Sequence, residues 1–344
     1  MECRLRILQV MASGQHGGAE VFYEDLVRAL ARTGVDQACV IRPYPMRAAL
    51  LSAAGCRVST MVFGGPLDLV TPWKLARVAS LENPDVILGW MNRACRSLPK
   101  GPWVNVGRLG GYYNLKYYRR CAHLICNTPD IAAYVVREGR PANQVHYIPN
   151  FCPVAAEPPV VRAVLKTPEG AKVLLILARL HEVKGIDVAL RALRNLPDAY
   201  LWIAGDGPEE SHLKHLATDL GVASRVRFLG WRDDRSALLR AADVCLVPSR
   251  YEPFGNVVVN AWSHDVPVVA AASQGPGFLI TDGVNGLKVP VEDAEALAAA
   301  INSVLKDPGL GQRLIQGGRA RVTAEFSEAA VVGRYRQVLE TITR

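Results

Sequence analysis

The chain has 344 residues, half of them hydrophobic and about a fifth charged, with a formal net charge of +8. That length exceeds one ordinary core and suits two domains of globular composition. No run reaches about 18 uninterrupted apolar residues, which excludes a membrane-spanning helix of ordinary kind.

The N-terminal apolar run is only as long as a strand, so no signal peptide is expected. The eight cysteines, Cys3, Cys39, Cys56, Cys95, Cys121, Cys126, Cys152 and Cys245, form no C-x-x-C pair and no His/Cys cluster of zinc spacing. They read as reduced, buried thiols of a cytoplasmic protein.

In the first half, short apolar runs at 5–11, 37–42, 57–63, 85–90, 103–108, 123–127 and 145–148 alternate with helical patterns such as 20–32, 71–81 and 129–138. Unbroken apolar strands between helices predict a parallel sheet covered on both faces. Arg93, Arg96, Lys100, Arg108, Lys116, Arg119 and Arg120 are concentrated here, with Tyr112, Tyr113, Tyr117 and Tyr118 among them. A solvated face accounts for this charge. An anionic membrane surface accounts for it equally, since basic and tyrosine side chains both suit an interface. No recognition motif accompanies it, so nucleic acid is not an expected partner.

Pro149, Pro153, Pro158, Pro159 and Pro168 then mark a segment without helical periodicity, which reads as a linker. The alternation restarts with strands at 172–180, 200–205, 226–229, 244–247, 267–271 and 286–289. Helices are predicted at 185–195, 208–220, 234–241, 255–264, 293–306 and 311–325. Two successive α/β sheets joined by a Pro-rich hinge predict a two-lobed protein with a cleft. Ligands of open α/β sheets bind at the carboxyl ends of strands. The last segment, 326–344, has helical spacing and by spacing alone packs on the second lobe.

Four segments at predicted strand ends can carry chemistry. Gly14-Gln15-His16-Gly17-Gly18-Ala19-Glu20 opens a helix and can bring backbone N–H groups to an anion, although alone it reads as a tight turn. It is not G-x-G-x-x-G, so a dinucleotide site is not expected. In Ala178-Arg179-Leu180-His181-Glu182-Val183-Lys184-Gly185, the arginine and lysine can converge on one diphosphate or stand as two solvated cations. Ile203-Ala204-Gly205-Asp206-Gly207-Pro208 reads as a turn with Pro208 at a helix start, Asp206 ordering the loop. Pro248-Ser249-Arg250-Tyr251-Glu252-Pro253-Phe254-Gly255-Asn256-Val257 places a carboxylate before a helix whose first amides face outward. Asn260 lies one turn beyond Asn256 on the same side. A carboxylate there can hydrogen-bond sugar hydroxyls and offset charge developing at an anomeric carbon. The same pattern also describes a capped helix with an incidental acid.

Taken together, these segments resemble the family-4 (group 1) retaining glycosyltransferases of GT-B fold. The resemblance spans nearly the whole chain, through Gly17-Gly18-Ala19-Glu20, Ala178-Arg179-Leu180 with Lys184-Gly185, and Ile203 to Pro208. It continues through Val226-Arg227-Phe228-Leu229-Gly230, the Glu252-Pro253-Phe254-Gly255 signature and Asp282-Gly283-Val284-Asn285-Gly286-Leu287. It implies an α/β, GT-B protein of two Rossmann-like parallel-sheet domains facing a cleft. Residues 1–155 would form the acceptor domain, completed by a helix at 326–344. Residues 156–168 would be the linker and 169–325 the nucleotide-sugar donor domain.

The resemblance also implies roles. Arg179 and Lys184 would grip a diphosphate, and Glu252 would contact the donor sugar. Phe254, Gly255, Asn256 and Val257 would supply phosphate-binding amides, with Asp206 and Asn260 in the donor region. Gly230 and Trp231 fall at the nucleotide base. Gly17 and Gly18 would lie under the phosphate or acceptor, with His16, Arg108, Gly110 and Gly111 in the acceptor region. The family is generally metal-independent, so no cofactor is expected beyond the nucleotide diphosphate sugar as co-substrate, with cations and helix dipoles stabilising the leaving group.

Three departures stand out. Asn260 replaces a glutamate that usually binds ribose hydroxyls, which removes charge assistance of about 1–2 kcal/mol. Arg108 falls where a histidine is common. Pro276-Gly277-Phe278-Leu279-Ile280 lacks the acid often found before its Leu-Ile pair. The expected activity is transfer of a hexosyl unit from a nucleotide sugar to a glycan or lipid-linked acceptor in envelope polysaccharide or lipopolysaccharide synthesis. The expected place is the cytoplasm, peripheral to the inner face of the membrane. A nucleotide-sugar epimerase of the same architecture and a non-catalytic sugar-nucleotide-binding subunit are the alternatives.

Overall fold

The structure is a computed structural model that describes residues 5–14, 17–64, 68 and 70–343. His16, expected in the acceptor region, and Cys3 lie outside the described residues. The chain divides into two compact units: one up to Phe151 together with the segment from Ser327, the other Cys152–Phe326.

The first unit is built on seven parallel strands: β1 (Arg6–Met11), β2 (Asp36–Ile41), β3 (Arg57–Thr60), β4 (Val86–Trp90), β5 (Val104–Leu109), β6 (His123–Cys126) and β7 (Val145–Tyr147), in spatial order β3-β2-β1-β4-β5-β6-β7. Met11 lies level with Ile41 on one side and Trp90 on the other. The central strands are apolar on both faces because helices cover both. Helix α1 (Gly18–Arg32) buries Phe22, Leu26, Val27 and Leu30, a stripe at i, i+4 and i+8 spacing, against one face. The C-terminal helix Glu328–Ile342 joins that face through Val331, Tyr335 and Leu339, and its Glu328 accepts a 2.6 Å bond from Arg32. The segment that spacing alone assigned to the second lobe therefore packs on the first. Helix α2 (Val70–Glu82) and the helix Met91–Ser97 cover the other face through Leu75, Ala79, Ala94 and Cys95.

Polar groups inside this unit are linked in series. Trp90 Nε1 donates to Gln9 Oε1 at 2.9 Å, Gln9 Nε2 to Gln37 Oε1 at 3.0 Å, and Gln37 Nε2 to the Val27 carbonyl at 2.8 Å. Such a chain leaves none of these buried amides orphaned and pins β1 to β2 and β4.

The second unit carries six parallel strands: β8 (Lys172–Leu177), β9 (Ala199–Ala204), β10 (Val226–Gly230), β11 (Val244–Val247), β12 (Val268–Ala271) and β13 (Leu287–Val289), ordered β10-β9-β8-β11-β12-β13. The predicted strand 172–180 ends three residues early. Ala178 N–H still bonds the β9 carbonyl of Ala204 at 3.1 Å, but beyond it the backbone peels away, and Leu180 N–H bonds the Asp206 carbonyl at 2.7 Å instead of a strand partner. Residues 156–168, read as a linker, lie in this second unit and are fastened to it. Val160 N–H donates to the Ala237 carbonyl at 3.1 Å. Arg162 donates to Ala241, Ala171 and Asp243, and Trp202 Nε1 donates to Thr167 Oγ1 at 2.9 Å. Proline removes helical periodicity from this stretch but leaves carbonyls and side chains free to pack.

Candidate active site

In the second sheet the chain starts at β8, steps outward to β9 and β10, then returns to β11 on the other side of β8. Strand order reverses between β8 and β11, the place where open α/β sheets accept ligands. The loop leaving β8 carries Arg179 and Lys184, and the loop leaving β11 carries Glu252, and the reversal brings Lys184 to Glu252. Lys184 Nζ lies 2.6 Å from Glu252 Oε2, with both side chains about four-fifths buried, at 23 % and 17 % exposure. An ammonium has three donors, so Lys184 can hold Glu252 and still meet an anion. Arg179 is exposed and makes no hydrogen bond or ion pair among the described residues. Its guanidinium is a cation with its whole fork available.

The two loops are locked to each other. Val183 O accepts the N–H groups of Arg250 and Tyr251 at 2.9 and 3.2 Å. Arg250 then grips Asp187 with both terminal nitrogens at 2.8 and 2.9 Å, reaches Glu292 at 2.6 Å and bonds the Glu182 carbonyl at 2.7 Å. Burial works to raise the Asp187 carboxyl, but hydrogen bonds from Arg250 and Arg191 outweigh it and hold the group below the usual carboxylate range. A bidentate arginine fixes direction as well as distance. Gly185 sits between the loops at φ +62, and a β-carbon there would meet the Pro248 carbonyl oxygen at 2.1 Å. Only glycine allows that approach.

Helix α3 (Ile186–Leu193) follows Gly185, and helix α4 (Asn256–Ser263) follows Gly255. The amides of Asn256 and Val257 open α4, where a helix supplies no partner of its own and its dipole favours negative charge. Phe254 is buried and rests edge-on against Phe326. Gly275 approaches it so closely that a β-carbon would lie 2.1 Å from the Phe254 carbonyl oxygen, and its N–H bonds the Glu252 carbonyl at 2.7 Å. Glu252 is thus positioned by backbone from the short helix after β12 as well as by Lys184. Tyr251 beside it is raised in pKa, by burial first and by the Glu252 charge second. The far end of α4 is anchored by His264, whose Nδ1 meets the Asn260 carbonyl and whose Nε2 meets Ser236 Oγ, each at 2.8 Å. Asn260 is half-buried on the helix.

Other expected residues have supporting geometry. Asp206 is exposed, and it is its carbonyl that holds Leu180. Gly230 ends β10, its carbonyl accepting the Gly205 N–H at 2.7 Å. Trp231 follows it, 44 % exposed, with Nε1 donating to Asp233 at 3.0 Å. Phe278, in the segment lacking the usual acid, carries the Arg321 guanidinium over its ring at 5.4 Å.

In the first unit, strand order reverses between β1 and β4. Gly17 and Gly18 stand at the carboxyl end of β1, where Gly17 caps α1 and its carbonyl accepts the Val21 N–H at 2.9 Å. Gly110 and Gly111 follow β5. Arg108, placed by the resemblance in the acceptor region, is 2 % exposed. Its guanidinium lies 5.0 Å over Phe22 and 5.2 Å over Trp90 and hydrogen-bonds Asn150. Its Nη1 lies so near Gly110 that a β-carbon there would come within 2.8 Å of it. Among the described residues, no group of three or more His, Cys, Asp or Glu is placed to hold a metal ion.

Arg250, Asp187 and Gly275 had no role in the sequence reading. Arg250 stands inside the Pro248–Gly255 run, yet nothing local announces that its partners are 63 and 42 residues away.

Comparison with known proteins identifies the family. Residues 159–321 match the family described as glycosyl transferases group 1, and residues 16–155 match glycosyltransferase family 4. The chain is 40 % identical over 330 residues to the lipopolysaccharide core biosynthesis glycosyltransferase LpsE of Rhizobium meliloti, covering 95 % of this chain and 96 % of that one. It is 36 % identical to LpsD of the same organism, covering 94 % of each. HepE of Anabaena, solved in complex with UDP-glucose, superposes with a TM-score of 0.85 at 22 % identity over 98 % of this chain and 100 % of that one. Two parallel α/β units, matched segment by segment and over nearly full length, place this chain among the group 1, family 4 glycosyltransferases of GT-B fold.

Proposed function

We propose that this glycosyltransferase moves a hexosyl unit, with retention of configuration, from a uridine diphosphate sugar to a lipid-linked lipopolysaccharide core at the cytoplasmic face of a membrane. The observation that carries the proposal is the 2.6 Å contact of Lys184 with Glu252 at the strand-order reversal, beside the start of α4. In this reading Arg179, Lys184 and the amides of Asn256 and Val257 hold the diphosphate, with no metal ion required. The first turn of α4 and the lysine stabilise charge as the leaving group departs. Glu252 faces the sugar and offsets positive charge at the anomeric carbon. Trp231 and Gly230 meet the base.

The acceptor class is supported by the names of the two full-length relatives, both lipopolysaccharide core biosynthesis enzymes. The donor class is supported by the UDP-glucose carried by HepE. No helix among the described residues is long and apolar enough to cross a membrane, so the protein would meet its acceptor from the surface.

Thermal unfolding with UDP, GDP, ADP and their sugars, each in EDTA, tests the donor site. A ligand at about 100 times its Kd stabilises the folded state by about 2.7 kcal/mol. UDP compounds are expected to raise the melting temperature in full without a divalent ion. If no nucleoside diphosphate raises it, the proposal is wrong.

Asn260 bears on the same site. An amide makes a weaker acceptor for ribose hydroxyls than a carboxylate, by about 1–2 kcal/mol. Asn260→Glu is therefore expected to tighten UDP binding about tenfold, as read by calorimetry. An unchanged Kd would mean that position 260 does not reach the ribose.

A further inference from the structure

The sequence leaves a solvated face and an anionic membrane surface as equal readings of the basic stretch that contains Tyr112, Tyr113, Tyr117 and Tyr118. The fold leaves these rings buried or half-buried. Tyr118 is buried, Tyr113 stacks on it, and Tyr112 packs edge-on against Tyr134 while its hydroxyl bonds Asp130. Apolar side chains that do stand in solvent lie elsewhere, on helix α2. Val70 is 58 % exposed, Trp73 64 % and Leu81 77 %. At about 100° per residue, Val70, Trp73, Lys74, Arg77 and Leu81 fall within roughly 100° of arc. The opposite side of α2, with Thr71, Leu75 and Ala79, is buried in the unit. Its outer side is thus a stripe of aromatic and aliphatic groups interleaved with cations. Lys74 and Arg77 have no hydrogen bond or ion pair among the described residues.

Charge around the stripe is one-sided. The segment 68–120 contains nine Lys and Arg, of which Arg108 is buried, against three acids, Asp68, Glu82 and Asp85. Glu82 is paired with Arg57 at 2.7 Å and Asp85 with Arg6 at 2.9 Å, while Asp68 accepts the Val70 and Thr71 N–H groups at the start of α2. Arg93 and Lys100, on and just beyond the helix Met91–Ser97 that covers the same sheet face as α2, are exposed. Several exposed apolar side chains sharing one helix face mark an interaction surface, where a single one would not. Interleaved Lys and Arg specify a cover that is apolar within and anionic at its surface. That description fits a bilayer containing acidic phospholipid, in whose interface Trp is favoured and toward whose surface Lys and Arg are drawn. Nucleic acid would satisfy the cations but leave Val70 and Leu81 in water.

We infer that the outer face of α2 is a docking surface for an anionic phospholipid bilayer, with Trp73 and Leu81 entering the interface and Lys74 and Arg77 meeting headgroup phosphates. The inference rests on the membrane part of the proposed function and names the surface that would serve it.

Co-sedimentation with phosphatidylcholine vesicles, with and without phosphatidylglycerol, tests it on the full chain. Two double variants are compared with the wild type: Trp73→Ser with Leu81→Ser, and Lys74→Glu with Arg77→Glu. All four side chains are exposed, so melting temperatures are expected to hold. Wild-type protein is expected to bind the anionic vesicles selectively, and each double variant to bind them about tenfold or more weakly. The thermal shift given by UDP should be the same in all three proteins, which separates this surface from the donor site. Equal vesicle binding by the variants overturns the inference, as does wild-type binding without preference for phosphatidylglycerol. Displacement from vesicles by an RNA oligonucleotide that needs the same four side chains also overturns it, and would reassign the stripe to nucleic acid.

Discussion

Glu252→Gln is expected to lower kcat about 10²–10³-fold, the range seen when one preorganised group facing developing charge is removed, or about 2.7–4 kcal/mol of barrier. The substitution keeps the size and one acceptor oxygen of the side chain, so the Gly275 N–H bond to the residue 252 carbonyl is untouched. What disappears is the negative charge 2.6 Å from Lys184 and beside the proposed anomeric carbon. Both side chains are about four-fifths buried, so leaving Lys184 without its ionic partner is expected to lower stability as well. A fall in kcat larger than the loss of stability explains is therefore the signature of a charge used in the transition state. Because the ground state carries little positive charge at carbon, KM for the donor should move much less than kcat. Turnover within threefold of wild type would remove Glu252 from the chemistry. Lys184, freed of its partner, would then be the group to examine for diphosphate binding alone.

Gly185→Ala is expected to abolish most turnover through geometry alone. The alanine must hold a positive φ, at roughly 1–3 kcal/mol of strain. Its β-carbon would also sit 2.1 Å from the Pro248 carbonyl oxygen, so one of the two loops must move. Overpacking against backbone adds about 1–3 kcal/mol. Those loops carry Lys184 and Glu252, and a displacement of about 1 Å in a catalytic constellation costs on the order of 10²-fold in rate. The measurements are the denaturant midpoint, expected to fall, and kcat/KM, expected to fall further than stability explains. A variant of native stability and native rate would show that the Val183–Arg250 bonds, rather than the close approach at Gly185, set the spacing of the site. The extent of coupling follows from a cycle with Arg250→Ala, since two changes in one contact network do not add.

The elements themselves were largely legible in the chain. Buried parallel strands need apolar residues on both faces, so each appears as a short continuous run, and every run found that way in residues 5–289 corresponds to a strand of the two sheets. Ends were less legible. The run 172–180 has apolar residues as far as Leu180, interrupted by Arg179, yet the strand stops at Leu177, because the chain continues into a loop whose backbone bonds Asp206. The short helices Met91–Ser97 and Gln274–Leu279 went unassigned, being too brief to show a period. The Pro-rich stretch before Pro168 looked like a tether because proline erases periodicity. The bonds that fasten it, Arg162 to Ala241 and Asp243, join residues about 80 apart.

The site divides along the same line. Local order along the chain determined that a lysine follows one strand, a glutamate follows another, and a helix starts just after the glutamate, since strand, turn and helix signals are short-range. Tertiary structure alone decided that those two strands are neighbours at a reversal of strand order, which puts Lys184 against Glu252 across 68 residues. It also buried Arg108 and left Trp73 far more exposed than the neighbouring tyrosine cluster. Burial depends on which surfaces the fold brings together, and residue type and spacing carry no record of that.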